Sequence, residues 1–343
     1  MRAYQLPKGG AGVDALVEVE RPQPKPAHRQ VLVKVKACSL NFRDFAIARG
    51  TYRMGVRDNL IPLSDGAGEV AEIGAAVTRV KVGDHVAGNF FQRWPGGEPS
   101  AESHKSALGG GIDGMLAEYV VLEEDGVVKI PAHLSLEEGA TLPCAAVTVW
   151  HAMMEHAKLK AGDTILLQGT GGVSIFGLLF AHAAGVRAII TSSSDEKLAR
   201  LKALGADHGV DYTKTDWSRW AVETYGKPQR RSYDGGVDVV INFTGGDTWV
   251  PSLRCLKRGG KLLVCGATAG YDPKEDLRYV WSFELQIVGS NSFYDDDLAA
   301  LMTLIAAGKI KPVIDKVLPL DEAREGLRLI QDREVIGKVV VTP

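Results

Sequence analysis

Apolar and polar positions repeat at two different periods along the chain, and the change of period marks its organisation. In the first part the apolar runs are short and close together. Val31 to Ala37 alternates apolar residues with Lys34 and Lys36, Ala67 to Gly74 is another such run, and Arg79 to Val86 contains a turn. Period-two runs without helices between them predict the short strands of a small barrel. Asn89 to Met115 is rich in Gly, Pro, Ser and charge, and reads as a long excursion covering a site rather than a packed element. Strand pattern returns at Ala117 to Glu123. At Ser135 the pattern changes: Ser135 and Glu138 form a capping box ahead of an apolar stretch reaching about Lys158.

Beyond that point strands and helices alternate. Thr164 to Gln168, Arg187 to Ser193, Gly209 to Tyr212, Val237 to Phe243, Lys261 to Gly266 and Leu285 to Gly289 read as strands, with helices at Asp195 to Leu204 and around Trp217 to Tyr225. Six strands in βα alternation predict an α/β doubly wound parallel sheet. Asp296 to Ala307 reads as a helix and Gly337 to Val341 as a final strand returning to the first domain. The expected domains are residues 1–130 completed by 292–343, and residues 131–291.

The stretch that organises the second domain is Asp163 to Gly185. It reads as strand, tight turn and helix, with the turn formed by Gly169-Thr170-Gly171-Gly172-Val173-Ser174. This is the opening of a dinucleotide-binding βαβ unit, with Ser174 where the third glycine of G-x-G-x-x-G stands. Such a turn lets the backbone approach a pyrophosphate at the positive end of the next helix. Serine gives up close helix–strand packing, while its hydroxyl is free to cap the helix. Asn242-Phe243-Thr244-Gly245-Gly246 and Cys265-Gly266-Ala267-Thr268 end successive strands at the same carboxyl edge, where ligands bind in open α/β sheets.

Composition narrows the field. With 343 residues, 45% apolar and 24% charged, the chain is that of a soluble globular protein large enough for two cores and a cleft. The net charge of -2 gives no reason to expect nucleic acid or an acidic membrane as partner. The N-terminus lacks an apolar signal region and no run is long enough for a bilayer, so a cytoplasmic location is expected. Cys38, Cys144, Cys255 and Cys265 lie far apart and read as free buried thiols.

An NAD-binding unit places an acid about 20 residues past its glycine turn to hold the ribose 2′-hydroxyl. Here the second strand ends Thr191-Ser192-Ser193-Ser194. Hydroxyls leave room for a 2′-phosphate and donate to it, and Lys197 in the next first turn favours an anion nearby, so NADPH is expected over NADH. Asp195 and Glu196 are the opposing signal, as ordinary first-turn acids. No metal is expected: His151 and His156 are five apart, about 140° around an α-helix, and the 89–115 excursion has no cysteine. The cluster Lys227, Arg230 and Arg231 reads as a solvated loop, with the phosphates of a coenzyme A thioester as its alternative. Asn41 and Tyr52 are the polar residues of the first domain singled out to line a cleft.

Together, Ser39-Leu40-Asn41-Phe42-Arg43-Asp44, Asp65 to Val70, Val82 to Val86, Ala117 to Val120, Leu142 to Trp150 and Gly169 to Val173 resemble the medium-chain dehydrogenase/reductase superfamily, in its zinc-independent quinone oxidoreductase branch. The resemblance runs over nearly the whole chain. It implies a GroES-like barrel catalytic domain from both chain ends, a Rossmann NADP-binding domain between, and commonly a homodimer. In zinc alcohol dehydrogenases similar to this chain a cysteine stands where Asn41 stands, and a His-Glu pair at Ser64-Asp65. The resemblance also places Tyr52 over the nicotinamide beside the substrate, Tyr212 and Lys197 near the adenosine phosphate, Thr148 near the nicotinamide and Lys338 near the cofactor. The long 89–115 segment departs from that branch and leaves the substrate class open. The expected activity is zinc-free hydride transfer from NADPH to a quinone or an α,β-unsaturated carbonyl compound. Alternatives are an alcohol or aldehyde dehydrogenase of the same fold and a non-catalytic NADPH-binding protein.

Overall fold

The computed structural model describes residues 1–7, 12–52, 55–291, 295–308 and 310–343. They divide into two compact units, Met1–Val147 with Phe293–Pro343, and Thr148–Ser292. In the first unit β1 (Arg2–Gln5) and β2 (Val17–Glu20) form an antiparallel pair. The main sheet is built on β3 (Gln30–Ser39), where Val31, Val33 and Val35 are buried while Lys34 and Lys36 face solvent, as the alternation predicts. β4 (Asp65–Ile73) runs antiparallel along β3, followed outward by β5 (His85–Gly88), and β6 (Tyr119–Glu123) pairs with the first half of β3. β7 (Val127–Lys129) closes that side against β5. Helix α1 (Phe42–Ala48) leaves the end of β3, and its Asn41 amide N–H donates to Asp44 Oδ2 at 2.8 Å.

Asn89 to Met115 is more packed than its composition suggests. It contains the short helix α2 (Ala101–Lys105), and Phe90, Phe91, Trp94, Leu108 and Met115 are buried. The Phe91 ring lies 5.4 Å from Trp94 and 5.3 Å from His104, centre to centre. Gln92 fastens the segment to the sheet, donating to Asn89 O at 2.8 Å and Gly126 O at 2.9 Å and accepting from the Glu123 amide at 3.0 Å. Glycines and prolines mark a departure from regular structure, but the apolar rings between them decide whether it packs.

The Ser135 capping box forms, with Glu138 N–H to Ser135 Oγ at 3.1 Å, and starts helix α3 (Leu136–Ala140). The segment 131–147, read from sequence with the second domain, is part of the first unit, where α3 packs on β3 and β4. Leu142–Ala157 continues as helix, α-wound at α4 (Val147–His151) and π-wound on either side.

The second unit holds a six-stranded, wholly parallel sheet: β8 (Thr164–Leu167), β9 (Arg187–Ser192), β10 (His208–Asp211), β11 (Val237–Asn242), β12 (Leu256–Val264) and β13 (Gln286–Gly289). Their order is β10-β9-β8-β11-β12-β13, so the winding reverses between β8 and β11. That is the doubly wound order, and its ligand crevice lies where the winding reverses. Helices α5 (Gly172–Ala184), α6 (Asp195–Ala203), α7 (Trp217–Tyr225), α8 (Trp249–Arg254) and α9 (Leu277–Ser282) connect or follow the strands. Most strand residues of β8, β9 and β11 are buried, as a sheet covered on both faces requires.

The chain then returns to the first unit through α10 (Asp295–Ala306), β14 (Ile314–Pro319), α11 (Ala323–Gln331) and β15 (Lys338–Thr342). β15 is parallel to β14 and antiparallel to β3, opposite Cys38 and Ser39.

Candidate active site

In the second unit, Gly169 leaves β8 in the left-handed region, at φ 71°, and Gly171 caps α5 with extended backbone. A Cβ built on either would meet nothing within 4 Å. The turn therefore has open space beside its backbone where α5 begins, as an anion cradle needs. Its neighbours hold it in place: the Gly169 amide donates to Thr191 Oγ1 at 3.0 Å, and Thr170 is buried. Ser174 does not cap the helix. It is fully buried and donates from Oγ to Gln168 O at 2.5 Å, tying the helix to the end of β8. The close-packing role lost at Ser174 falls one turn later to Gly177, whose added Cβ would stand 2.9 Å from Leu167 Cδ2 and 3.1 Å from Val149 Cγ2.

At the end of β9, Ser192 is buried and its Oγ has no hydrogen-bond partner among the described residues. Ser193 is exposed, and Ser194 is used by α6, accepting from the Lys197 amide at 3.2 Å. Tyr212 is exposed, with its amide on Ser192 O at 3.0 Å. Asp195 lies 2.7 Å from Lys214 Nζ, which also reaches Asp211 at 3.0 Å. The two strand-end loops singled out from sequence are zipped together: Thr268 N–H donates to Phe243 O at 3.0 Å and Ala269 N–H to Thr244 O at 2.7 Å. Asn242 Oδ1 accepts from Thr244 and Gly245, and a Cβ on Gly266 would press on Phe243 O at 3.2 Å; Ala267 stands between Gly266 and Thr268 in the zipped loop. Gly172 and Val173 open α5, and Thr148 is buried in α4.

In the first unit the polar residues form a buried charge cluster. The side chains of Arg43, Asp44, Asp65 and Lys338 are each at least nine-tenths buried. Lys338 Nζ donates to Leu40 O at 2.7 Å and Asn41 Oδ1 at 2.5 Å, and stands 4.0 Å from Asp65 Oδ2. Asp65 accepts from Ser64 Oγ at 2.8 Å and from the Cys144 amide at 3.2 Å. Burial pushes the Asp65 carboxyl up, against the Lys338 charge and the hydrogen bonds that hold it. Burial pushes Asp44 up to about 6, with Arg43 opposing and Asp65 adding. The Arg43 guanidinium lies 4.4 Å from the Phe90 ring centre and 5.3 Å from that of Tyr52, and Nη1 donates to Leu108 O at 2.9 Å. Through Arg43 the 89–115 segment and Tyr52 are held to one group.

Asn41 and Lys338 are thus brought together, and Arg43 joins Tyr52 to the loop. Arg43, Asp44 and Gly177 did not figure among the sequence candidates; the only trace of the charge pair was two ionisable residues inside the apolar run Phe42 to Ala48. One angular expectation is corrected. His151 and His156 lie edge to face with ring centres 4.6 Å apart, because Ala152–Ala157 is π-wound and i, i+5 positions share a face there. No group of three or more His, Cys, Asp or Glu side chains suited to a metal occurs among the described residues.

A doubly wound sheet with an open glycine turn at the reversal of its winding, joined to a mixed sheet with a buried polar cluster, defines a nicotinamide-dependent oxidoreductase fold. Residues 27–132 match the family model of the alcohol dehydrogenase GroES-like domain, and residues 204–341 that of the zinc-binding dehydrogenase. A zinc-type alcohol dehydrogenase-like protein of Schizosaccharomyces pombe is 39% identical over 96% of each chain. A chloroplastic quinone-oxidoreductase homolog of Spinacia oleracea is 28% identical over 100% of this chain and 98% of its own. A crystal structure of an NAD-dependent alcohol dehydrogenase superposes with a TM-score of 0.89 at 32% identity, covering 100% of both chains. The chain belongs to the medium-chain dehydrogenase/reductase superfamily and is an oxidoreductase of that family, whose members bind nicotinamide cofactors and small-molecule substrates.

Proposed function

We propose that this protein is an NADPH-dependent, zinc-independent reductase of quinones or α,β-unsaturated carbonyl compounds, acting as a cytoplasmic homodimer. The observation that carries the cofactor choice is the end of β9. A buried serine hydroxyl without a partner among the described residues stands there in place of a carboxylate, and the first-turn acid Asp195 is paired with Lys214, which Asp211 shares. An acid would repel a 2′-phosphate, whereas a hydroxyl donates to it. Gly169 to Val173 and the start of α5 fit a pyrophosphate, with Ser192, Ser193, Lys197 and Tyr212 toward the adenosine and Thr148, Phe243, Thr244, Gly266, Ala267 and Thr268 along the strand ends. When bound there, NADPH supplies the hydride.

The chain's own residues have to stabilise charge on the substrate oxygen. A simple aldehyde develops a localised alkoxide, which suits a Lewis acid, while a conjugated acceptor spreads the charge. A hydrogen bond from the Tyr52 hydroxyl, with Asn41 fixed by Lys338 as the second polar group, then suffices at a few kcal/mol. The zinc-independent reading is supported by the neighbours of Asp65: the amide of Asn41, the hydroxyl of Ser64 and the ammonium of Lys338 are not zinc donors of the usual kind, which leaves Asp65 and Cys144 as the donor-type residues there. The name of the Spinacia oleracea relative supports a quinone, while that of the solved alcohol dehydrogenase keeps the aldehyde as the competing substrate and NAD as the competing cofactor.

After chelator treatment the protein is expected to oxidise NADPH with a quinone or an enone and not with a simple aldehyde, and added zinc is expected to leave the rates unchanged. Activity that appears only with zinc, or far better turnover with NADH, overturns the reading. Tyr52→Phe is expected to lower kcat about 10- to 100-fold with NADPH affinity intact.

A further inference from the structure

We propose that Arg43 is a carboxylate-binding residue, and that the substrate favoured at this site is an α,β-unsaturated carbonyl compound carrying a carboxylate. The inference deepens the enone reading and rests on it. An arginine offers two N–H groups side by side along one edge, from Nε and Nη2, and this edge matches the two oxygens of a carboxylate. In Arg43 both atoms are buried, and neither has a hydrogen-bond partner among the described residues. The rest of the group is committed: Nη1 donates to Leu108 O at 2.9 Å, and the guanidinium carbon lies 4.4 Å from the Phe90 ring centre. The guanidinium is thus fixed in place with its carboxylate-reading edge unpaired.

Anchoring the 89–115 segment does not account for this arrangement. That role takes one N–H and one face of the guanidinium, and leaving the other donors of a buried cation unpaired is costly. The neighbouring acid does not close the edge. Asp44 Oδ1 stands 3.8 Å from Nη1, beyond hydrogen-bond reach, and Oδ2 accepts from the Asn41 amide. Burial pushes the Asp44 carboxyl up to about 6, so it takes a proton more readily than an ordinary acid, which limits its repulsion of a second carboxylate. Position 110 is a glycine, where a Cβ would stand 2.9 Å from Nη2 and press on the guanidinium. Tyr52, partly exposed, has its ring centre 5.3 Å from the guanidinium carbon. A carboxylate held by Arg43 therefore leaves the remainder of its molecule beside the tyrosine proposed to donate to the substrate oxygen.

The test uses levulinate, the product that reduction of acetylacrylate, an enone carrying a carboxylate, would give. Its methyl ester has the same skeleton without the charge. Each is titrated calorimetrically into the protein saturated with oxidised cofactor, so that no hydride passes. Levulinate is expected to bind the native protein about 10-fold or more tighter than the ester, and to lose about 10- to 100-fold in affinity in Arg43→Met while the ester binds both proteins alike. Arg43→Lys keeps the charge without the paired donors and is expected to fall between the two. Gly110→Ala keeps every charge and sets a methyl group against Nη2, so it should weaken levulinate several-fold with little change in melting temperature, and it carries the test if Arg43→Met does not fold. Levulinate that fails to bind the native protein, binds no better than its ester, or is indifferent to both Arg43→Met and Gly110→Ala overturns the proposal. Binding is read without turnover, so failure to reduce acetylacrylate or any other enone would count against the enone reading, while levulinate affinity still decides the role of Arg43.

Discussion

Asp44 shows how a single buried group makes the first unit respond to pH. Its folded pKa of about 6 lies above its ordinary value of 3.8, chiefly through burial. The folded state therefore holds the proton more tightly than the unfolded chain, and this contribution to stability is complete below pH 4 and lost as pH rises through 6. Asp44→Asn removes that loss. Relative to the native protein, the variant should gain roughly 1–3 kcal/mol in urea unfolding between pH 4.5 and 7. No gain across that interval would mean that Asp44 is ionised at little cost. The two ionisable residues of this run were plain in the sequence, but their burial was not, because it depends on β15 and the 89–115 segment arriving from distant parts of the chain. Lys338 was named for its resemblance alone; its contacts with Asn41 and Leu40 span nearly the length of the chain and leave no local pattern.

At the scale of elements, periodicity located the parallel strands and the Ser135 helix start because each is governed by residues a few positions apart. It was blind to winding. The π-turns around α4 bring two histidines together that an α-helical wheel separates, and nothing in the spacing announces a wider turn. The glycine turn was legible, but the division of labour within it was not: Ser174 ties strand to helix, and Gly177 allows their approach. The two glycines should respond in opposite ways. Gly171→Val adds a side chain into open space at an extended backbone position, so stability should change by less than about 0.5 kcal/mol while the KM for NADPH rises about 10-fold or more. Gly177→Ala forces Leu167 and Val149 apart and should cost about 1–3 kcal/mol in unfolding free energy without singling out the cofactor. An unaltered KM in Gly171→Val would remove the turn from the phosphate site.

At the scale of the whole molecule, the sheet of the second unit ends in β13, whose outer side has no strand partner among the described residues. Gln286 to Gly289 carries none of the charges or prolines that protect a free edge. Beside it in sequence, α9 exposes Leu277 at 72% and Trp281 at 70%. An unprotected edge with exposed apolar residues suits pairing with a second copy about a two-fold axis. Light scattering should give twice the 36.8 kDa chain mass, and Leu277→Glu with Trp281→Glu should return the monomer. A native monomer, or a dimer indifferent to both changes, would place this edge outside any self-association. Among the described residues no helix is long and apolar enough to cross a membrane.

β15 sits against β3 although all of Thr148–Ser292, one uninterrupted segment, lies between them in sequence. During synthesis Thr148–Ser292 emerges as one segment and is free to fold, whereas the first unit must wait, its two inward carboxylates without their lysine, until β15 has followed that segment out of the ribosome.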